Sequence, residues 1–288
     1  MAEISASTVV KLRKISGQGM MDCKKALEES NGDLDKAMEI LRKKGLATLA
    51  RRAERETSEG AVVSWLSEDG KAAAMATLCC ETDFVAKSDD FVALAEDIRD
   101  YIATSKSDEG IESVLQTIIA GKNFQEMLTE VVSKTGEKLQ VGEYVKFRLP
   151  GAGLIGTYIH FNRKVGSMVQ IDTSDQKVAD SGPMKQVAAD LAMHITASKP
   201  LALDAASVDP QVIEREKGIY AAQVQNKPPE IVNRIVEGKM KKFYADYCLL
   251  EQPFVKDDTK TVQQVLDEAA KQAGGKASIR RFVRFELG

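Results

Sequence analysis

Apolar residues in the first part of the chain recur at helical intervals. Ile4, Val9, Val10, Leu12 and Ile15 mark one helix, which Ser16-Gly17-Gln18-Gly19 stops. Met20-Met21 opens a second through Cys23, Ala26 and Leu27. Asn31-Gly32 ends it, and Asp33 caps a third that carries Leu34, Ala37, Met38 and Leu41. The pattern predicts a three-helix module of about 40 residues, near the lower limit for folding alone. A basic stretch follows, with Arg42, Lys43, Lys44, Arg51, Arg52 and Arg55. It reads as a solvated helical linker, because no aromatic residues interleave for base stacking.

From Gly60 the period changes. Ala61–Leu66 and Lys71–Cys80 flank the turn Ser67-Glu68-Asp69-Gly70 and predict a β-hairpin. After Glu81-Thr82-Asp83-Phe84 the spacing becomes helical through Phe91, Leu94, Ala95, Ile98 and Ile102. More helix is expected around Val114–Ile119 and Phe124–Val132. Then the pattern returns. Gly153–Ile159, the turn Asn162-Arg163-Lys164 and Val165–Ile171 predict a second hairpin, leading to a helix over Met184–Ala197.

ALAEDIRDYIATSK can be laid on QVAADLAMHITASK. Gly60, Ala95, Asp97, Ile102, Ser105 and Lys106 match Gly153, Ala188, Asp190, Ile195, Ser198 and Lys199, each pair 93 residues apart. Constant spacing across a hairpin-plus-helix unit indicates an internal duplication. Two such units predict an α+β core of antiparallel sheets covered by helices. The copies differ most at Glu81-Thr82-Asp83-Phe84-Val85-Ala86-Lys87, set against Asp172-Thr173-Ser174-Asp175-Gln176-Lys177, where Phe84 has no apolar counterpart. Such a residue either staples onto its own helix or projects as an interface anchor, and residue type alone leaves both open.

Between Ser207 and Tyr244 two helical patterns meet at Lys227-Pro228-Pro229 and predict an αα-hairpin. The last segment reads as an irregular stretch, a helix capped near Thr261, and a strand with Ile279, Phe282, Val283 and Phe285.

Composition acts here mainly by exclusion. With 43% apolar and 29% charged residues among 288, the chain has the make-up of a globular protein rather than a disordered or membrane one. Its length suits about two domains. The net charge of -3 supplies no global field that would draw it to nucleic acid or anionic lipid. Cys23, Cys79, Cys80 and Cys248 form no CxxC pair and are read as reduced, packed thiols. MAEISAS has neither the basic nor the apolar region of a signal peptide, and no apolar run spans a membrane. A cytoplasmic protein is expected.

Candidate chemistry is sparse. Gly151-Ala152-Gly153-Leu154-Ile155-Gly156 satisfies GxGxxG, but it leads into a strand rather than the helix that would hold a pyrophosphate. Gly70-Lys71, Gly121-Lys122 and Gly275-Lys276 lack the remainder of a P-loop. His194 falls on the duplicated helix opposite Tyr101 and suits a structural role, while His160 lies on the second hairpin between Ile159 and Phe161. Neither neighbours a nucleophile motif, and Asp89-Asp90 and Asp257-Asp258 read as solvated turns. No active site, metal site or cofactor is expected.

MAEISASTVVKLRKISGQGMMDCKKALEESNGDLDKAMEILRKKG, TDFVAK at Thr82–Lys87, MHITASKP at Met193–Pro200, VEGKMKKF at Val236–Phe243 and QPFV at Gln252–Val255 together resemble the bacterial elongation factor Ts family, in that family's order and over nearly the whole chain. The resemblance implies a guanine-nucleotide exchange factor for elongation factor Tu, without catalytic chemistry of its own. The N-terminal module would then be ubiquitin-associated-like. Thr82, Asp83, Phe84 and Val85 would enter the partner's magnesium and phosphate site, with Phe84 as the wedge and Asp83 helping to displace the magnesium-binding arrangement. Leu12, Met20 and Met21 would pack on the partner's nucleotide-binding domain. His160, Phe254 and Val255 would hold another of its domains.

The implied division is residues 1–55 for the module and basic linker, and 56–140 for one half of the core. Residues 141–200 with 245–288 form the other half, and 201–244 a helical hairpin, coiled-coil or dimerisation element, which leaves a homodimer or 2:2 complex open. Three departures stand out. Glu81 precedes TDFV where a neutral glutamine is common, Lys256 follows QPFV where an apolar residue is expected, and the sequence stops at Gly288, the last residue of RFELG, so a further helical contact of some members is expected to be missing. Competing readings are a ubiquitin-associated-type adaptor or RNA-binding accessory factor, resting on the module and basic stretch, and a dinucleotide enzyme, resting on GAGLIG alone.

Overall fold

A computed structural model of the chain describes residues 4–224 and 228–288. Residues 1–3 of the MAEISAS opening and Lys227 of the expected turn lie outside the described residues. Helices α1 (Ala6–Ser16), α2 (Met20–Glu29) and α3 (Leu34–Arg51) form the N-terminal module. Ser5 caps α1 by accepting the Thr8 N–H, and Asp33 caps α3 by accepting the N–H groups of Asp35 and Lys36. Val9, Leu12, Cys23, Ala26, Leu27, Ala37 and Leu41 close its small core.

The chain continues as β1 (Glu59–Leu66), β2 (Ala72–Cys80), α4 (Asp83–Ala86), α5 (Asp89–Thr104) and α6 (Ile111–Leu115). A short ladder of β3 (Ile118–Ile119) and β4 (Lys122–Asn123) precedes α7 (Phe124–Thr135) and β5 (Leu139–Arg148). The order then repeats with β6 (Gly153–Ile159), β7 (Val165–Thr173), α8 (Gln176–Ala179) and α9 (Gly182–Ser198). A helical pair, α10 (Pro210–Ala222) and α11 (Pro229–Tyr247), is inserted. The ladder of β8 (Pro253–Phe254) and β9 (Asp257–Thr261), then α12 (Val262–Gln272) and β10 (Ala277–Glu286), complete the second copy. The duplication therefore runs further than the hairpin and helix visible in the sequence. Capping boxes at Asn123/Glu126 and Thr261/Gln264 open the equivalent helices α7 and α12.

Each copy builds one antiparallel sheet, in the orders β1-β2-β5 and β6-β7-β10. Residues alternate across β2, so Ala74, Ala76, Leu78 and Cys80 pack under α5 and α7, while Ala73 and Met75 point the other way. There they meet Phe147, Ile155, Met168 and Phe285 in a layer between the two sheets. On the far side Val169 and Ile171 pack with Leu191 of α9 and Leu266 of α12. A strand buried on both faces reads as a continuous apolar run, which is why AAAMATLCC shows no polar alternation.

Two expectations are corrected. The helix expected over Val114–Ile119 ends at Leu115, because Ala120 (φ 51°) and Gly121 (φ 82°) turn the chain into the β3–β4 ladder. The caps also fix the register of the two copies. Thr82 and Asp175 cap α4 and α8, Ser88 and Ser181 cap α5 and α9, and both pairs are 93 residues apart. Phe84 is therefore matched by Lys177, two residues further along than a direct overlay of the two turns puts it. GAGLIG has its own explanation. A Cβ on Gly156 would lie 2.2 Å from the Ala188 carbonyl oxygen, so glycine lets α9 lie directly on β6.

Candidate functional site

The segment Thr82–Val85 is a single helical turn held by its first residue. The Thr82 N–H donates to Glu137 Oε2 at 3.2 Å and its hydroxyl to Glu137 Oε1 at 2.9 Å. The same hydroxyl oxygen accepts the Val85 N–H at 3.3 Å, which closes the turn. Val85 and Ala86 pack on the core beneath α5. Phe84 points the other way and is 81% exposed, which rules out a staple against its own helix. Asp83 pairs with Lys87 at 2.8 Å, and that hydrogen bond holds the Asp83 carboxyl below the usual carboxylate range.

Glu81 does not project beside Phe84. Its carboxylate turns inward, accepting the Lys138 N–H at 2.7 Å and pairing with Arg52 at 2.6 Å. Partial burial pushes its pKa up, but these hydrogen bonds outweigh burial and hold it below the ordinary value. The basic stretch is likewise tied down. Arg42 pairs with Glu126, Lys44 with Asp22 at 2.7 Å and Arg52 with Glu81.

Facing the Thr82–Val85 turn is the tip of the β6–β7 hairpin, across a cleft of about 580 Å³. Asp83, Lys87, Phe91, Phe161, Arg163 and Lys164 are among its lining residues. The tip is anchored to the first copy. The Val62 N–H donates to the Arg163 carbonyl at 2.7 Å, Arg163 pairs with Glu96 at 3.0 Å, and Lys164 with Glu59 at 2.7 Å. His160, part-exposed, lies within hydrogen-bond reach of Tyr158 Oη at 3.3 Å, and its ring centroid is 4.4 Å from that of Phe161.

The remaining candidates divide into surface and support. Met20 and Met21 are exposed on the module, beside exposed Val10 and Ile15, for which sequence spacing indicates only a helix. The contact expected of Leu12 is corrected: it is fully buried in the module core and offers no surface. Phe254 is corrected in the same way, since it is buried and stacks on His194 at 5.8 Å. Val255 next to it is exposed, and its N–H donates to His194 Nδ1 at 3.1 Å. His194 Nε2 meets Gln252 Oε1 at 2.9 Å, so Met193–Pro200 and Gln252–Val255 come together to hold Val255 at the surface. Lys256 pairs with Asp190 at 2.7 Å. Phe161, 88% exposed, is the side chain that sequence reasoning misses. Its one signal is an aromatic residue beside a turn.

Among the described residues no group of three or more His, Cys, Asp or Glu side chains gathers as a metal site. No helix among them is long and apolar enough to cross a membrane. Large apolar side chains thus project from a hydrogen-bonded scaffold at Phe84 and Phe161, and the comparisons place the chain among the translation elongation factors. The family model described as Elongation factor TS matches residues 81–288. Curated relatives named Elongation factor Ts include one from a Nitratiruptor species, 46% identical over 99% of this chain and 93% of its own. Another, from Desulfovibrio desulfuricans, is 39% identical over 100% of this chain and 99% of its own. The chain belongs to the elongation factor Ts family.

Proposed function

We propose that the protein is a guanine-nucleotide exchange factor of translation elongation, acting in the cytoplasm on elongation factor Tu bound to GDP. The observation that carries this reading is Phe84, a large apolar side chain left exposed on a turn whose backbone is fixed by Thr82 and Glu137. A fixed projection enters a partner without an ordering cost at the moment of binding, which favours a tight complex with one partner state. Phe84 is the wedge and Asp83, kept ionised by Lys87, is the charge that competes for the partner's magnesium site. Withdrawing that cation removes the main neutralising charge from the diphosphate and weakens its hold.

Exchange then needs no bond chemistry in this chain. A factor that binds the empty partner more tightly than the GDP-bound one lowers GDP affinity by the same ratio, by linkage. GTP in excess refills the site by mass action. Met20, Met21, His160 and Val255 supply the outlying contacts, with Leu12 and Phe254 acting from beneath them. The division into residues 1–55, 56–140, 141–200 with 245–288, and 201–244 belongs to the same reading, with the α10–α11 pair offering a further contact or a dimer surface.

The test is stopped-flow release of a fluorescent GDP analogue from elongation factor Tu. Wild-type protein should accelerate release strongly, and Phe84→Ala should lose about 30-fold or more of that acceleration, as expected for an anchor worth roughly 2 kcal/mol. The variant should keep its melting temperature, because Phe84 buries little. Normal exchange by Phe84→Ala would remove the wedge, and no acceleration by folded wild type would remove the function.

A further inference from the structure

The duplication gives the molecule two clefts built to one plan. In the first, Asp83, Lys87 and Ala95 of the first copy face the tip of the second copy's hairpin. In the other, the equivalent Gln176, Asp180 and Ala188 face the tip of the first copy's hairpin. The hairpin turns match as well, since Gly70 (φ 67°) and Arg163 (φ 56°) hold the same left-handed position 93 residues apart. The two copies thus lay their hairpin tips across one another.

Two positions on the facing turns exchange a large apolar side chain for a charge. Phe84 is matched by Lys177, and Phe161 by Glu68. Phe161 and Phe84, at 88% and 81%, are the two most exposed large apolar side chains among the described residues, ahead of Ile118 at 66%. Phe161 lines the cleft and Phe84 projects from the turn whose Asp83 lines it, and both are replaced by charged residues in the other copy. Nothing in the hairpin requires an aromatic residue at this point. The tip is held by Val62, Glu96 and Glu59, and the aromatic contact of Phe161 is with the neighbouring His160 ring. The Glu68 tip makes the same turn with a carboxylate in that place.

We infer that Phe161 is a second apolar anchor for the partner that Phe84 enters, supplied by the other copy of the repeat. The inference rests on the exchange-factor reading and deepens it. The occupant is the GTPase itself, because Phe161 shares a cleft with Asp83 and Lys87 of the wedge turn and so continues that surface. Two aromatic anchors, one from the wedge turn and one from the facing hairpin tip, fix the angle of a docked surface as well as its position, which a single wedge does not.

The test uses the full chain with Phe161→Ala, Phe161→Glu, Phe84→Ala and, as a control at the sibling tip, Glu68→Ala. Affinity for nucleotide-free elongation factor Tu is measured by calorimetry, alongside GDP release and melting temperature. Both Phe161 variants should bind about tenfold or more weakly. Their melting temperatures should be unchanged and Glu68→Ala should bind normally. Wild-type affinity in both Phe161 variants, with exchange lost in Phe84→Ala, would overturn the inference and leave the exchange reading standing. Normal behaviour of all four would remove that reading and this inference together. A Phe161 variant that alters sedimentation of the free protein but not its affinity for the GTPase would assign the side chain to self-association and overturn the inference. If Phe161→Glu alone were misfolded, Phe161→Ala would still decide.

Discussion

A backbone N–H decides which proton His194 carries. Val255 donates to Nδ1, so Nε2 holds the hydrogen and donates to Gln252 Oε1. Burial of the ring pushes its pKa below the ordinary 6.5, and the Gln252 hydrogen bond opposes this only in part. The sign follows from linkage. Below about pH 6.5 the unfolded chain takes up a proton that the folded ring resists, so stability is present above that value and falls as pH drops. Thermal melting from about pH 8 to about pH 5 should show this decline, and His194→Gln should flatten it. An unchanged slope in the variant would assign the decline to other groups. Sequence position marks His194 as structural, through its match to Tyr101, whose hydroxyl donates to the Lys122 backbone carbonyl at 3.0 Å. The inward turn of Glu81 could not be read, because its partners Arg52 and Lys138 lie far from it in sequence.

At the level of elements, the third strand of each sheet tests what patterning can reveal. β10 is legible from Ile279, Phe282, Val283 and Phe285, whereas β5 is not. Lys146 disrupts its pattern, although that lysine is buried, its Nζ donating to the Ser105 carbonyl at 3.1 Å and lying 5.4 Å from the centre of the Trp65 ring. Burial pushes the Lys146 pKa down. A charged side chain satisfied from a neighbouring helix end looks, in one dimension, like a solvated one. The glycine-rich GAGLIG carries the opposite risk, a motif suggesting chemistry where contact between strand and helix explains it. Gly156→Ala should cost roughly 1–3 kcal/mol, because its Cβ would meet the Ala188 carbonyl and β6 must shift from α9. A urea midpoint unchanged by the substitution would show that α9 can move at no cost.

Over the whole molecule, the N-terminal module is seated rather than tethered. α3 runs along α7, where a Cβ on Gly45 would lie 2.5 Å from the Thr129 carbonyl oxygen. Ser133 sits within 3.2 Å of both Gln18 Oε1 and the Leu41 carbonyl. Gly45→Val should lift the module from α7. The expected signs are faster proteolysis near residues 52–58 and a several-fold loss of exchange with the Phe84 turn intact. Protection equal to wild type would mean that the contact adapts. The module, the repeat and the turn bearing Phe84 are legible without a structure, because each is written in local spacing. The seat on α7 is not, because it joins surfaces distant in the chain.

The crossed hairpin tips change what the duplication means for the lineage of the chain. A tandem copy ordinarily leaves a spare, free to drift or be lost while its twin keeps the work. Here Phe161 and Arg163 of the later copy finish the cleft of the earlier one, and Glu68 and Gly70 of the earlier copy finish that of the later. Neither half can be discarded without opening the other's cleft. The copies have become heirs to a joint property that cannot be divided.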